Sequence, residues 1–217
     1  MSIEHKEIAA IREDYAKSSL SESDVQKNPI DQFHKWFDEA MASHVTEPTA
    51  MVLSTVDENG QPSSRVVLLK DIKSTGFSFF TNYNSQKGQE IIRHPYVSAL
   101  FFWPELQRQI RIEALVEKLP KEDSDEYFSI RPRGSQIGAI ASPQSSIIPN
   151  RESLEKRVKA VEKEMEGIEE VPRPEFWGGF LLKPTRIEFW QGRSSRLHDR
   201  IVYISEKDNW IINRLAP

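Results

Sequence analysis

The chain has 217 residues, no cysteine, 38% hydrophobic and 29% charged residues, and a formal net charge of -4. That length supports one large domain or two small ones with a real core, and the composition is that of a globular chain. The lack of cysteine excludes disulfides, thiolate metal sites and a cysteine nucleophile. A pI near 5.8 argues against general nucleic-acid binding, whose affinity rests on phosphate contacts. The first thirty residues show no apolar signal-peptide core, and the longest apolar run, Val97 to Trp103, is too short to span a bilayer. A cytoplasmic protein is the expectation.

In chain order, residues 1–30 are polar, with Ile8, Ile11 and Tyr15 spaced as a short helical face, and read as a partly mobile arm. Phe33, Trp36, Phe37, Ala40 and Met41 follow the spacing of an amphipathic helix with Asp31 near its start. Ala50 to Val56 is strand-like, Asp57-Glu58-Asn59-Gly60 is a turn, and Pro62 to Lys70 is a second strand. Strand signals continue at Phe77 to Thr81, Tyr96 to Trp103 and Gln107 to Lys118, with Ser85 capping a helix through Arg93. Helices are predicted over Lys121 to Ile130, Ser135 to Ser142 and Arg151 to Gly167, the last lying across the surface. Pro172, Pro174 and Pro184 punctuate a return to strands at Trp177 to Leu182, Arg186 to Trp190, Arg200 to Ile204 and Trp210 to Arg214. Strands do not alternate regularly with helices, which favours a mostly antiparallel barrel with peripheral helices.

The stretch Trp190 to Arg200, WQGRSSRLHDR, runs against the acidic balance of the chain. Arg193, Arg196, His198 and Arg200 beside Phe189 and Trp190 point to a small anionic ligand. If extended, the stretch places Arg196, His198 and Arg200 on one face and Leu197 and Asp199 on the other. Two guanidinium forks and an imidazole suit a phosphate or carboxylate beside a proton-handling ring. Solvated arginines on an edge strand fit the same spacing.

Arg65-Val66-Val67-Leu68-Leu69-Lys70 is an apolar run between two cations, which predicts burial on both faces. Arg65 and Lys70, about 17 Å apart if extended, would serve two anions or opposite ends of one long ligand, or simply terminate a core strand. Lys87 falls in the first turn of the Ser85 helix, where a cation opposes the helix dipole unless an anion lies between them. Arg131 to Gly138 reads as an oxyanion-binding turn leading into a helix, without P-loop spacing. Gln144-Ser145-Ser146 is a similar polar loop or ordinary loop chemistry. There is no G-x-G-x-x-G, no close histidine pair among His5, His34, His44, His94 and His198, and no G-x-S-x-G elbow. Many anion-binding groups and few reactive ones suit a protein whose chemistry resides in a phosphorylated cofactor.

RVVLLK (65–70), FFTN (79–82), RPRGSQIGA (131–139), QSS (144–146), FWGGF (176–180), IEFWQG (187–192), RLHDR (196–200) and RLAP (214–217) together resemble the pyridoxine/pyridoxamine 5'-phosphate oxidase family. The resemblance implies a mainly β (α+β) split-barrel homodimer with FMN at the subunit interface. Residues 1–30 would be an N-terminal arm or active-site lid, and 31–217 a single FMN-binding domain. It implies oxidation of pyridoxamine or pyridoxine 5'-phosphate to pyridoxal 5'-phosphate, with O2 reduced to H2O2. Carried over, Arg65, Val66, Val67, Leu68, Leu69, Lys70, Phe80, Thr81, Gln86, Lys87, Gln109, Gln144, Ser145, Trp190 and Arg200 would hold FMN. Lys70, Tyr127, Arg131 and Ser135 would hold the substrate phosphate. Arg196 and His198 would lie over the pyridine ring as the catalytic pair, with Arg12 and Tyr15 closing the site. Gln86 stands where many members place an arginine beside the FMN phosphate, which removes one charge-assisted contact. No metal, membrane or nucleic acid is implied. A split-barrel reductase and a non-catalytic flavin carrier compete with this reading. The joint presence of Tyr127, Arg131, Ser135, Arg196 and His198 disfavours both.

Overall fold

The computed structural model describes residue 10, residues 13–207 and residues 209–217. Ile8, Ile11 and Arg12 lie outside the described residues. The chain forms two compact units: Met1–Pro48 with Leu100–Ile112 and Arg186–Pro217, and Thr49–Ala99 with Glu113–Thr185. Among the described residues there are five α-helices and nine strands. The strands are β1 (Ala50–Val56), β2 (Pro62–Leu68), β3 (Asp71–Lys73), β4 (Gly76–Asn82), β5 (Tyr96–Trp103), β6 (Arg108–Lys118), β7 (Trp177–Gln191), β8 (Asp199–Glu206) and β9 (Asn209–Arg214). Their hydrogen-bonded order is β2-β1-β5-β6-β7-β4-β3, with β8 on β7 and β9 on β8. β1 and β2, β3 and β4, β4 and β7, β7 and β8, and β8 and β9 pair antiparallel. The expected class, mainly β with peripheral helices, is the one found.

In the first unit, helix α1 (Pro29–Ala42) starts where the Asn28 side chain accepts the Ile30 N–H at 2.8 Å, with Pro29 in the first turn. Its apolar stripe buries Ile30, Phe33, Trp36 and Ala40, while Met41 remains exposed. Phe33 meets Phe101 edge-on at 5.1 Å, and Trp36 meets Phe189 at 5.2 Å, which in turn meets Tyr203 at 5.6 Å. The segment before α1 is tied to this core. The Leu20 N–H donates to Asp199 at 3.0 Å and Tyr203 donates to the Gln26 carbonyl at 2.6 Å.

In the second unit, Met51, Leu53, Phe77, Phe79, Phe180 and Leu182 fill the core from alternate strand positions. Helix α2 (Gln86–Arg93) is capped by Ser85, whose hydroxyl accepts the Gly88 N–H. Helix α3 (Lys121–Ser129), helix α4 (Arg133–Ala141) and helix α5 (Arg151–Glu164) follow. α5 has no buried residue, as its narrow seam predicts, and it stops at Glu164, short of the expected Gly167, where a positive φ of 77° turns the chain. α4 starts at Arg133 rather than Ser135, because the Pro132 carbonyl already accepts the Ser135 and Gln136 N–H groups.

Two expectations are corrected here. β2 is not buried on both faces: Val66 is 64% and Leu68 38% exposed. β2 ends the strand order beside β1, and among the described residues no further strand pairs with its second edge. The strand also ends at Leu68, and the Lys70 N–H turns to the Ser78 carbonyl at 2.8 Å. The segments expected at 177–182 and 186–190 form one continuous strand across Pro184. β4 pairs with Trp177 to Leu182 and β8 with Arg186 to Gln191, so Pro184 falls in the gap between the two registers, where neither partner needs its missing N–H.

Candidate active site

The site residues named from the sequence fall into three groups. The first gathers on β1, β2 and α2. Arg65 donates through Nη2 to the Ser63 hydroxyl at 2.6 Å and through Nη1 to the Ser63 and Leu53 carbonyls at 3.2 and 3.3 Å, and Thr55 Oγ1 also accepts from it. Glu90 pairs with Arg65 at 3.4 Å and accepts from Ser63, Thr55 and Gln86. Burial would raise the Glu90 carboxyl, but the hydrogen bonds from Thr55, Gln86 and Ser63 and the charge of Arg65 together hold it below the usual range. Lys87 is 9% exposed and reaches Thr81 Oγ1 at 3.3 Å and Gln144 Oε1 at 3.5 Å. No carboxylate comes within salt-bridge range of it among the described residues. Burial, then the charge of Arg65, depress its pKa despite the opposing pull of Glu90. A buried ammonium without a counter-charge, next to a fixed guanidinium, fits the dianionic phosphate of a flavin nucleotide. Gln86 is engaged with Glu90 at 2.8 Å. Ser145 takes a φ of 71° in the exposed loop after Gln144.

The second group surrounds an aromatic stack. Phe80 lies on Tyr127 at 4.0 Å and on Trp177 at 5.6 Å, nearly parallel to both. The Gly178-Gly179 pair makes this possible: a Cβ on Gly179 would fall 2.8 Å from the Phe80 ring, and one on Gly178 would fall 2.2 Å from the Tyr83 hydroxyl. The Arg131 guanidinium lies over the Trp177 ring at 4.5 Å, and its buried Nη1 has no hydrogen-bond partner among the described residues. Burial lowers the Arg131 pKa. The four residues expected at the substrate phosphate divide. Lys70 and Tyr127 line a cavity of about 210 Å³, while Arg131 and Ser135 line one of about 380 Å³ with Thr81 and Gln144. Phe80 belongs to both walls.

The third group is in the first unit. Gln109 is half-buried on β6. Tyr15 meets Trp190 edge-on at 6.0 Å, and His198 lies 4.5 Å from Trp190 and 6.1 Å from Tyr15. Gly192 leaves room for Tyr15, since a Cβ there would fall 2.6 Å from its ring. His198 Nδ1 accepts the Arg193 backbone N–H at 3.1 Å, and burial and the charge of Arg196 hold the imidazole below its usual pKa. Tyr15, Arg196 and His198 line a cavity of about 610 Å³ with Asp14 and Arg193. The extended conformation expected for this stretch is not found. Ser194–Arg196 forms a single 3-10 turn, and Ser195 and Arg196 have φ of 57° and 62°. Strand alternation therefore does not order Arg196 and His198; Arg200 alone sits on β8. Arg200 is bidentate on Glu188, at 2.7 and 3.1 Å, which raises its pKa. Arg193 pairs with Asp199 at 3.3 Å.

Sequence reasoning missed Glu90, Glu188 and Trp177. Glu188 carried a readable signal, a carboxylate between Ile187 and Phe189 on an otherwise apolar strand. Trp177 is part of the FWGGF segment, but only the packing shows its face under Arg131. Among the described residues no cluster of His, Asp or Glu could hold a metal, and no helix is long and apolar enough to cross a membrane.

Residues 37–164 match the family model described as pyridoxamine 5'-phosphate oxidase, and residues 177–217 match the pyridoxine 5'-phosphate oxidase C-terminal dimerisation region. Curated relatives that carry the name pyridoxine/pyridoxamine 5'-phosphate oxidase include the following two. The protein of Haemophilus influenzae (strain 86-028NP) is 54% identical over 97% of this chain and 100% of its own length. That of Cyanothece sp. (strain PCC 7425) is 50% identical over 97% and 98%. Among solved structures, PhzG from Burkholderia lata 383, in complex with tetrahydrophenazine-1-carboxylic acid, is 30% identical with a TM-score of 0.87 over 93% of this chain and 99% of that one. A pyridoxamine 5'-phosphate oxidase-related, FMN binding protein from Nostoc punctiforme PCC 73102 shares the fold at 15% identity, with a TM-score of 0.66 over 85% and 97%. The fold, mainly β, is of the split-barrel class, and the chain belongs to the pyridoxamine 5'-phosphate oxidase family.

Proposed function

We propose that this protein is an FMN-dependent oxidase that converts pyridoxamine and pyridoxine 5'-phosphate to pyridoxal 5'-phosphate. The observation that carries the reading is a pair of cationic receptors in one unit: the buried Lys87, which has no carboxylate partner among the described residues and stands beside the Glu90-paired Arg65, and Arg131, whose Nη1 has none among them either. A phosphorylated cofactor and a phosphorylated substrate need two such places. Bound there, FMN would supply the two-electron acceptor for oxidation at the substrate C4' carbon, with O2 as the final acceptor and H2O2 as its product.

The chain's own residues bind and orient. Arg65 and Lys87 receive the flavin phosphate, with Thr81, Gln86, Gln144 and Ser145 as neutral donors. Val66 to Lys70, Phe80, Gln109, Trp190 and Arg200 complete the flavin site. Arg200 acts there through geometry, since Glu188 already neutralises it. Lys70, Tyr127, Arg131 and Ser135 take the substrate phosphate. Arg196 and His198 meet the pyridine ring, with Arg196 stabilising developing charge and His198 the candidate proton-handling group. Tyr15 covers them, and Arg12, in the segment 1–30 read as a lid, joins the closure. FMN binds at the interface of a homodimer in this reading. The exposed Val66 and Leu68 on the free edge of β2 and the match of 177–217 to a dimerisation region support it. A cytoplasmic location follows from the substrate, a charged phosphate ester that does not cross membranes unaided.

The test is direct. The purified protein should show a flavin absorption spectrum and, given pyridoxamine 5'-phosphate under air, should form aldehyde and peroxide together. Bound flavin with no aldehyde would leave a carrier or a reductase of another substrate. Replacing Arg196 with Met should lower kcat/KM strongly with flavin still bound.

A further inference from the structure

Asp199, the first residue of β8, stands between the candidate catalytic His198 and the flavin-site residue Arg200, and no role has so far attached to it. Its carboxylate collects three donors from three segments. Oδ2 accepts the Leu20 backbone N–H at 3.0 Å and Arg193 Nη1 at 3.3 Å. Oδ1 accepts Arg214 Nη1 at 2.8 Å. Arg214 is held further by both oxygens of Glu22 at 2.9 Å and by the Leu20 carbonyl at 3.0 Å. One side chain thus joins the segment that carries Tyr15, the loop that carries Arg196 and His198, and the last strand.

The loop needs such a tether. Ser195 and Arg196 sit consecutively in the left-handed region, a conformation that L side chains adopt only when their surroundings over-determine it. Arg193 has a second bond that matters more. Its backbone N–H donates to His198 Nδ1, so the neutral ring must carry its proton on Nε2. Nδ1 accepts and Nε2 donates.

We propose that Asp199 is a positioning residue: by holding Arg193 and Leu20 it keeps His198 in the Nε2–H form, as a hydrogen-bond donor toward the substrate, with Tyr15 packed over it. The proposal rests on the oxidase reading above for what His198 faces, but its structural content stands apart from turnover. It also assigns His198 a narrower part than proton handling. The ring presents a fixed proton, and taking a second one at Nδ1 would break its bond to Arg193.

The experiment uses the full-length flavin-loaded protein, labelled with 15N and observed in two-bond proton–nitrogen correlation spectra at alkaline pH, with His198→Gln assigning the signal. The wild type should show one tautomer, Nε2 protonated. Asp199→Ala and Arg193→Ala should each give the averaged pattern of two tautomers, and KM for pyridoxamine 5'-phosphate should rise about tenfold with much less change in kcat. Asp199→Asn, which keeps an acceptor oxygen, should fall between. Glu22→Gln, which loosens Arg214 alone, should keep the single tautomer. If Asp199→Ala does not fold, Arg193→Ala decides, since that side chain is 42% exposed. An unchanged tautomer in Arg193→Ala, or a wild-type ring protonated on Nδ1, overturns the proposal. Failure of the oxidase reading is separate: a single Nε2–H tautomer in a protein that forms no aldehyde.

Discussion

The surroundings of Arg131 and of Arg200 contain the same functional group in opposite states. Arg200 is bidentate on a carboxylate that is itself 3% exposed, and its remaining Nη1 reaches the Ala216 carbonyl at 2.9 Å. Arg131 lies on an aromatic face with a buried Nη1 that has no hydrogen-bond partner among the described residues. A guanidinium saturated by its own protein is a structural strut that offers a ligand little free charge. One held on a π-face and left unsatisfied is poised for an anion, because the ligand relieves a desolvation penalty already incurred in folding. Sequence motifs name both as binding residues; the partners distinguish what each does.

Substitutions test this contrast. The largest expected effect is at Arg131. Arg131→Met should raise KM for pyridoxamine 5'-phosphate by about 100-fold, since charge-assisted hydrogen bonds contribute about 1.5–3 kcal/mol each, with much less change in kcat. Steady-state kinetics measures it, and an unchanged KM would place Arg131 with Arg200. Next is Glu188→Gln, which leaves Arg200 and its neighbour Arg111, 3.5 Å from the same carboxylate, without a counter-charge. Breaking a fully buried pair costs about 3–5 kcal/mol; partial exposure of both arginines reduces this to about 2 kcal/mol, readable in urea unfolding. Trp177→Phe keeps a ring in the stack but offers Arg131 a weaker face, and should raise the same KM about threefold.

The smallest effect is a pH slope. Glu90 has a folded pKa below its unfolded value, so its contribution to stability is present above about pH 4.3 and is lost as pH falls through the folded value. Glu90→Gln should flatten the acid limb of a stability–pH curve in that window. An unaltered limb would mean that Glu90 is no more engaged with Arg65 than a surface carboxylate.

Most elements were legible. The turn at 57–60, the Ser85 cap and the strand Tyr96 to Trp103 follow from local chemistry, and the structure reproduces them. What misled was mostly non-local. Four apolar residues at 66–69 read as a doubly covered strand, but an edge position depends on which strands pair, and no local pattern encodes that. Pro184 reads as a strand break, yet it is harmless where one pairing partner gives way to another. Arg196, His198 and Arg200 alternate in sequence, but two consecutive left-handed residues remove the alternation. Neither Ser195 nor Arg196 is a residue type that announces such a backbone.

The class of fold, the surplus of anion-binding groups and, through the motifs, the family are all legible in the chain before it folds. Periodicity and side-chain chemistry are properties of neighbouring residues and survive without coordinates. Packing alone shows which cations are already neutralised, that Glu90 and Glu188 are the groups that hold Arg65 and Arg200, and that His198 Nδ1 accepts the Arg193 N–H. Those depend on partners far apart along the chain, 35 residues for Thr55 and Glu90 and 77 for Arg111 and Glu188, and on desolvation, which exists only once the chain has packed.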